Sequence, residues 1–220
     1  MQTEASIRML PFFRSLSDEQ IQLLGSISHV EHYAADYILH YENSYSTRIL
    51  FLIKGLAKAY RIDKHDNEIF LYHIHPGTLL SELSSLQEES LLSYANIVIE
   101  EESYLLSIDY GRFRKAFLDT GILGNEMLCA IIERNKQLQT IIDREFVFDS
   151  VSKVAMMLHE ELAMFNRLKR YDVSLMLHIQ PATLSRVLKR LKRDEIIDID
   201  RGNVYILDSQ KLASIYKGSL

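Results

Sequence analysis

Five basic side chains and no acid occur in the fourteen residues from Gln180 to Arg193. Cations mixed with small polar groups at this density suit the recognition of a polyanion, with guanidinium and ammonium groups meeting phosphates and base edges. Wound into a helix, the stretch sorts into two faces. Leu184, Val187, Leu188 and Leu191 follow the i, i+3, i+4, i+7 spacing of a buried stripe, which leaves Ala182, Ser185, Arg186, Lys189, Arg190 and Arg193 outward. Pro181 suits the first helical position, where its missing N–H costs nothing. A basic helix face alone is usually just a solvated face, so the neighbouring elements decide its meaning.

Upstream, Asp172–Ile179 reads as a short helix capped by Asp172, with Val173, Met176 and Leu177 inward. A break follows at His178-Ile179-Gln180, where histidine tolerates positive φ. Downstream, Glu195–Asp200 and Asn203–Leu207 read as a β-hairpin turning at Arg201-Gly202. Helix, turn, basic helix and hairpin together make a winged helix-turn-helix, and double-stranded DNA is its expected partner. The charge distribution agrees. Residues 147–220 carry 12 Lys+Arg against 9 Asp+Glu, a net of +3, whereas residues 1–146 carry a net of −8. The overall charge of −5 hides a basic C-terminal end.

The front of the chain reads as short strands and turns from about residue 28 to residue 108. Ile49–Gly55 runs apolar into a glycine and Leu56–Ile62 follows it, ahead of a turn cluster at Asp63–Asn67. Glu68–His75 is the next strand, stopped by Pro76-Gly77, and Tyr94–Ile99 and Ser103–Ile108 come later. This pattern predicts a small antiparallel barrel or jelly roll, preceded by a helix capped at Ser17. The fold class is therefore α+β. The expected domains are a sensing barrel over 1–120, a dimerisation helix over 121–146 and the winged helix over 147–220.

Within that long helix, Leu128, Ile131, Asn135, Leu138 and Ile142 step by 3, 4, 3, 4. This is a coiled-coil seam with Asn135 at an a position, where one polar residue sets register and favours a two-stranded pairing. A homodimer is expected. Packing of the helix on its own barrel is the alternative, and Leu at a with Ile at d leans toward higher oligomers. No apolar run approaches the ~20 residues needed to cross a bilayer, so no membrane is expected. The N-terminus lacks the basic start and apolar block of a signal peptide. One cysteine cannot form an internal disulfide, and the cytoplasm is the natural compartment.

This arrangement resembles the bacterial family of the cyclic-AMP receptor protein and the fumarate–nitrate reduction regulator (CRP/FNR). The likeness rests on a barrel with the Lys54-Gly55 turn, the Pro76-Gly77 lead-in to a short cassette, the long helix and the winged helix. Its most specific part is Pro181-Ala-Thr-Leu-Ser-Arg186. The resemblance implies a homodimeric transcription regulator on a pseudo-palindromic operator, with RNA polymerase as an expected partner. It also implies roles: Arg186 reads guanine, Ser185 makes a base or methyl contact, and Thr183 contacts phosphate. Ala182 stands where the family usually has glutamate, which removes an acceptor for cytosine, and Gln180 is the candidate to replace that contact. Lys189 and Arg190 complete the expected DNA-binding set.

The family's cyclic-nucleotide branch carries Gly-Glu followed by an arginine for the cyclic phosphate. Here Ser81-Glu82 stands in that place, and no Arg or Lys lies between Leu79 and Ala95. A buried phosphate without a cation lacks charge-assisted hydrogen bonds, so no cyclic nucleotide is expected. Cys129 alone cannot hold an iron–sulfur cluster and is expected to be a packing residue. Haem stays open as a cofactor, because His29 and His32 lie near the first strand and His73 and His75 sit two apart on one strand. A small organic effector, or none, is equally open. A cupin-like metal enzyme using His73, His75 and Glu82 is the competing class, but no metal motif or nucleophile constellation supports it, and a non-enzyme is expected. A third reading is a ligand-independent DNA-binding regulator with an inert barrel.

Overall fold

The computed structural model describes residues 3–66 and 68–217; Asn67, at the end of the predicted turn cluster, lies outside the described residues. The chain divides into two compact units, residues 1–137 and 138–220. The first opens with α1 (Thr3–Met9) and α2 (Asp18–Ser26). Ser17 caps α2 as predicted, in a capping box with Gln20. Strands β1 (Ser28–Tyr33), β2 (Ile38–His40), β3 (Tyr45–Ser46), β4 (Arg48–Ile62), β5 (Glu68–Ile74), β6 (Leu91–Leu92) and β7 (Asn96–Asp109) follow. Every pairing among them is antiparallel. The main sheet runs β1-β7-β4-β5 with β2 also on β7, and β3 pairs with β6. Helix α3 (Tyr110–Phe113) and a wider-wound turn at Arg114–Leu118 lead into α4 (Gly124–Ile142).

The barrel strands are longer than predicted. Ile49–Gly55 and Leu56–Ile62 are one strand, β4, and Tyr94–Ile99 and Ser103–Ile108 merge into β7. Gly55 does not turn the chain. It sits at φ 105° inside β4, where the β4–β7 register shifts between Leu52 and Ala57. A glycine in a strand marks a bulge or a close approach, and both hold here. A Cβ at Gly55 would stand 2.1 Å from Ser103 Oγ and 2.7 Å from the Glu102 carbonyl. The bulge bends the sheet over a core rich in aromatics, with Phe13 and Phe51 ring centroids 4.9 Å apart and Phe113 and Tyr110 fully buried.

Helix α4 differs from expectation at Cys129 and in where it ends. Cys129 is exposed and not a packing residue. Met127 is the buried position of α4, so the turn that carries Cys129 faces outward. The helix ends at Ile142 and continues as a wider-wound turn, Asp143–Val147, short of an unbroken helix to Phe146.

The second unit then builds α5 (Ser150–Glu160), α6 (Leu162–Arg167), α7 (Arg170–Met176), α8 (Pro181–Arg193), the hairpin β8 (Ile197–Asp200) and β9 (Asn203–Ile206), and α9 (Ser209–Lys217). Asp172 does not cap the first helix of the pair. Helix α7 starts three residues earlier, behind Lys169, and Asp172 falls in its first turn, where a carboxylate favours the helix dipole without closing the end. The hairpin turn is as predicted: Arg201 and Gly202 both take positive φ, 46° and 88°, as a tight two-residue turn requires.

An ion cluster holds the turn before α8. The Glu145 carboxylate accepts from His178 Nδ1 at 2.7 Å and from Arg144 Nε at 2.9 Å, with Lys153 Nζ at 4.0 Å. His178 has φ 51°. Burial works to raise the Glu145 pKa, but the hydrogen bonds and charges of His178 and Arg144 outweigh it and hold the carboxyl at about 2.

Two predictions follow from this architecture. Gly55→Ala combines a strained φ, worth roughly 1–3 kcal/mol, with a backbone overlap, and urea unfolding should show a lower midpoint. Glu145 has a folded pKa below its unfolded value of 4.5, so its contribution is complete above that pH and is lost as pH falls toward 2. Glu145→Gln should therefore lose less stability than the wild type between pH 4.5 and 2 in acid-unfolding curves.

Candidate nucleic-acid interface

Helix α8 starts where its residues require. Gln180 occupies the N-cap with extended backbone (φ −70°, ψ 143°), and Pro181 takes the first helical position. Leu184, Val187, Leu188 and Leu191 are all buried, in one core with Val154, Val173, Leu177, Ile197 and Val204. Burying each such side chain is worth about 1.5–3 kcal/mol. The opposite face is exposed at Ala182, Ser185, Arg186, Lys189, Arg190 and Arg193, with Gln180 exposed at the N-cap and Thr183 half-buried between the two faces.

The basic residues are not equivalent. Near the C-terminal end, Arg190 Nε lies 3.7 Å and Arg193 Nε 3.2 Å from Asp194, and Lys192 Nζ is 2.7 Å from Asp198. Toward the N-terminus, Arg186 donates to Thr183 Oγ1 at 3.1 Å. Among the described residues, neither Arg186 nor Lys189 has a carboxylate within 4.0 Å. The uncompensated positive charge of α8 is thus concentrated at Arg186 and Lys189, one turn apart. The i, i+4 spacing of Arg190 and Asp194 was visible in the sequence as the sign of local neutralisation.

Several positioning residues gave no such signal. Asn166, on α6, donates from Nδ2 to the Val204 carbonyl at 2.9 Å and accepts from the Val204 amide at 2.8 Å, so its amide group acts as one more strand residue beside β9. Arg170 Nη1 donates to the Phe165 carbonyl at 3.0 Å and Nη2 to the Gly202 carbonyl at 2.5 Å, while the guanidinium stacks 4.3 Å over the Phe165 ring. These two side chains and Glu145 fix the hairpin and the turn around α8. The partners Val204, Gly202 and His178 lie more than thirty residues from Asn166, Arg170 and Glu145 in sequence, beyond the reach of any periodicity.

On α4, the predicted seam residues Leu128, Ile131, Asn135, Leu138 and Ile142 are all exposed. Large aliphatics lining an exposed helix face are the usual mark of an interaction surface.

The barrel residues singled out from sequence do not converge. His73 is buried on β5 and lies 3.2 Å from Glu100 through Nε2, on the face that also carries the Lys58–Glu68 pair at 2.6 Å. His75 lies beyond the end of β5 and is exposed, with its ring centroid 6.4 Å from that of His73. Glu82 belongs to the other face of β5, because Tyr72, the strand neighbour of His73, donates to Glu82 Oε1 at 3.3 Å, and the Tyr94 amide donates to Oε2. His29 and His32 are occupied by Glu31 at 2.5 Å and Glu102 at 2.8 Å. Among the described residues, no three His, Cys, Asp or Glu side chains are grouped to hold a metal ion. No described helix is long and apolar enough to cross a membrane.

Comparison with known proteins agrees with this architecture. A model of the cyclic nucleotide-binding domain matches residues 30–120, and a model of the Crp-like helix-turn-helix domain matches residues 152–215. Among solved structures, a variant of CooA from Carboxydothermus hydrogenoformans is 20% identical with a TM-score of 0.68, covering 90% of each chain. FixK2 from Bradyrhizobium japonicum is 16% identical (TM-score 0.64), covering 86% of this chain and 97% of its own. The c-di-GMP-responsive global regulator CLP of Xanthomonas campestris is 18% identical (TM-score 0.63), covering 86% and 99%. At these identities the likeness speaks to fold. No curated protein matched the chain. With a cyclic nucleotide-binding-type barrel ahead of a Crp-like helix-turn-helix, the chain belongs to the CRP/FNR family of transcription regulators.

Proposed function

We propose that the protein is a cytoplasmic, homodimeric regulator that binds a pseudo-palindromic operator through α8 and carries its signal in the barrel. The observation that carries this reading is the pair of uncompensated cations, Arg186 and Lys189, on the outer face of a helix whose inner face is locked in the core. Arg186 reads guanine, Ser185 and Gln180 contact bases or their methyl groups, and Thr183 and Lys189 contact phosphate. Ala182 contributes closeness, since a methyl lets the helix sit deep in the groove. Arg190 is shared between DNA and Asp194.

Dimerisation runs through the exposed α4 seam. Two copies then present two α8 helices to half-sites about one turn of DNA apart. A signal that binds one dimer state better than the other shifts the population between them and re-spaces the two helices. RNA polymerase is the downstream partner, and the protein acts by binding, not as an enzyme.

A gel shift on DNA upstream of the protein's own gene tests the DNA reading. Arg186→Ala should cost roughly 1–3 kcal/mol and relax base preference at one position of each half-site. Lys189→Ala should weaken all sequences alike and lower the salt slope by about one. Binding unchanged by the double substitution, in a protein with wild-type circular dichroism, rejects the interface. Sedimentation equilibrium tests the seam: the wild type should run as a dimer and Ile131→Glu as a monomer. A wild type that stays monomeric at high concentration rules the dimer out.

A further inference from the structure

Two phenylalanines stand two residues apart just past α4, in opposite surroundings. Phe148 is buried in the second unit's core, with its ring centroid 6.0 Å from that of Tyr216. Phe146 is 84% exposed, the most exposed large apolar side chain among the described residues, and it packs into neither hydrophobic core. A phenylalanine ring left in water forgoes the burial that such a side chain ordinarily gains. Where it extends an exposed apolar strip, it marks a surface that something else covers.

The winding of the chain explains where the ring lies. The turn Asp143–Val147 closes with the Phe148 amide donating to the Asp143 carbonyl at 2.8 Å, five residues back. Such a turn takes more residues than the about 3.6 of an α-helix. Glu145, three residues past Ile142, is the position that the 3, 4 rhythm of the seam would use next. In the wider turn it falls short of the seam and goes instead to His178 and Arg144. Phe146, four residues past Ile142, completes the turn. Leu138, Ile142 and Phe146, all in the second unit, thus form one exposed apolar line that carries the seam a step beyond the helix.

We propose that Phe146 packs against a second copy of this chain, and that this contact steadies the turn on which Glu145 holds His178 ahead of α8. The inference rests on the reading that α4 pairs with a second copy, and it adds a contact outside the helix. A second copy is the occupant that the line fits. On a twofold axis the same row of side chains meets itself, so an apolar row is given an apolar counterpart. The wider turn divides two neighbours: Glu145 faces its own unit, 2.7 Å from His178 Nδ1, and Phe146 faces outward. What fixes one therefore fixes the other. Phe146 is a positioning residue for α8 and not a DNA contact.

The chain contains no tryptophan, so Phe146→Trp places a single reporter in the full-length protein. Its emission should move to shorter wavelength as concentration rises through the dimer Kd. Tyr171→Trp, at an exposed site on α7, should keep the emission of a solvated indole. In sedimentation equilibrium Phe146→Ala should raise the dimer Kd by at least about tenfold and Phe146→Leu by less. Both should keep wild-type circular dichroism, because the ring belongs to neither core. At concentrations that keep both proteins dimeric, Phe146→Ala should bind the DNA upstream of the protein's own gene at least about tenfold more weakly than the wild type. The proposal is overturned if dimerisation leaves the Phe146→Trp emission unmoved, if Phe146→Ala dimerises as the wild type does, or if the dimeric variant binds DNA equally well. If Phe146→Ala does not fold, the Phe146→Trp emission and the Phe146→Leu dimer decide. A monomeric Ile131→Glu beside an unaffected Phe146→Ala keeps the seam and rejects this contact. A dimer that survives Ile131→Glu with the Phe146→Trp emission still shifted does the reverse. A wild type that stays monomeric, or a dimer that binds no DNA, rejects the proposal together with the reading beneath it.

Discussion

The aliphatic stripe of α8 is the constraint on which the DNA-facing half of the molecule depends. Four side chains at helical spacing are buried together, and their combined burial is comparable with the whole net stability of a small domain, about 5–15 kcal/mol. A helix anchored so firmly has no rotational freedom left. Whatever lies opposite the stripe must face outward, and here that is Ala182, Ser185, Arg186 and Lys189. The apolar residues thus aim the polar ones. Glu145, Asn166 and Arg170 serve the same end from outside the stripe by tying the turn and the hairpin to their surroundings.

The barrel solves a different problem. Its long strands β4 and β7 run side by side through most of their length, and a long flat pair would neither curve nor close. Gly55 supplies the bend by letting the backbone approach Glu102 and Ser103 more closely than any Cβ allows. Strand alternation sorts the side chains of β5. His73 falls among the charged pairs with Lys58 and Glu100, and Tyr72 falls on the face of Glu82 and Arg134. A reading that grouped His73 with Glu82 crossed the strand from one face to the other. The local sequence hides this, because Glu82 lies outside β5 and only the fold sets which face of that strand it meets.

Family membership does not by itself fix ligand chemistry. The barrel matches the cyclic nucleotide-binding domain, while its cassette has no cation to meet a phosphate. A fold constrains where a ligand can sit far more than which ligand it is. Folding also brings the Arg134 guanidinium of α4 over the Tyr72 ring of β5, a contact that local sequence does not show.

Periodicity and turn chemistry by themselves determined the winged helix, the capped α2, the Arg201-Gly202 hairpin and the outward face of α8. Each of these depends on residues within one or two turns of each other, where burial pattern and backbone preference act directly. The tertiary structure alone decided that Gly55 is a bulge and not a turn, that α7 begins ahead of Asp172, and that Cys129 is exposed. It alone decided that Glu145 meets His178, that Asn166 pairs with Val204 and that Arg170 reaches Gly202. These outcomes turn on the three-dimensional distance between groups far apart in sequence. Coulomb and hydrogen-bond energies follow that distance steeply, and sequence spacing does not encode it.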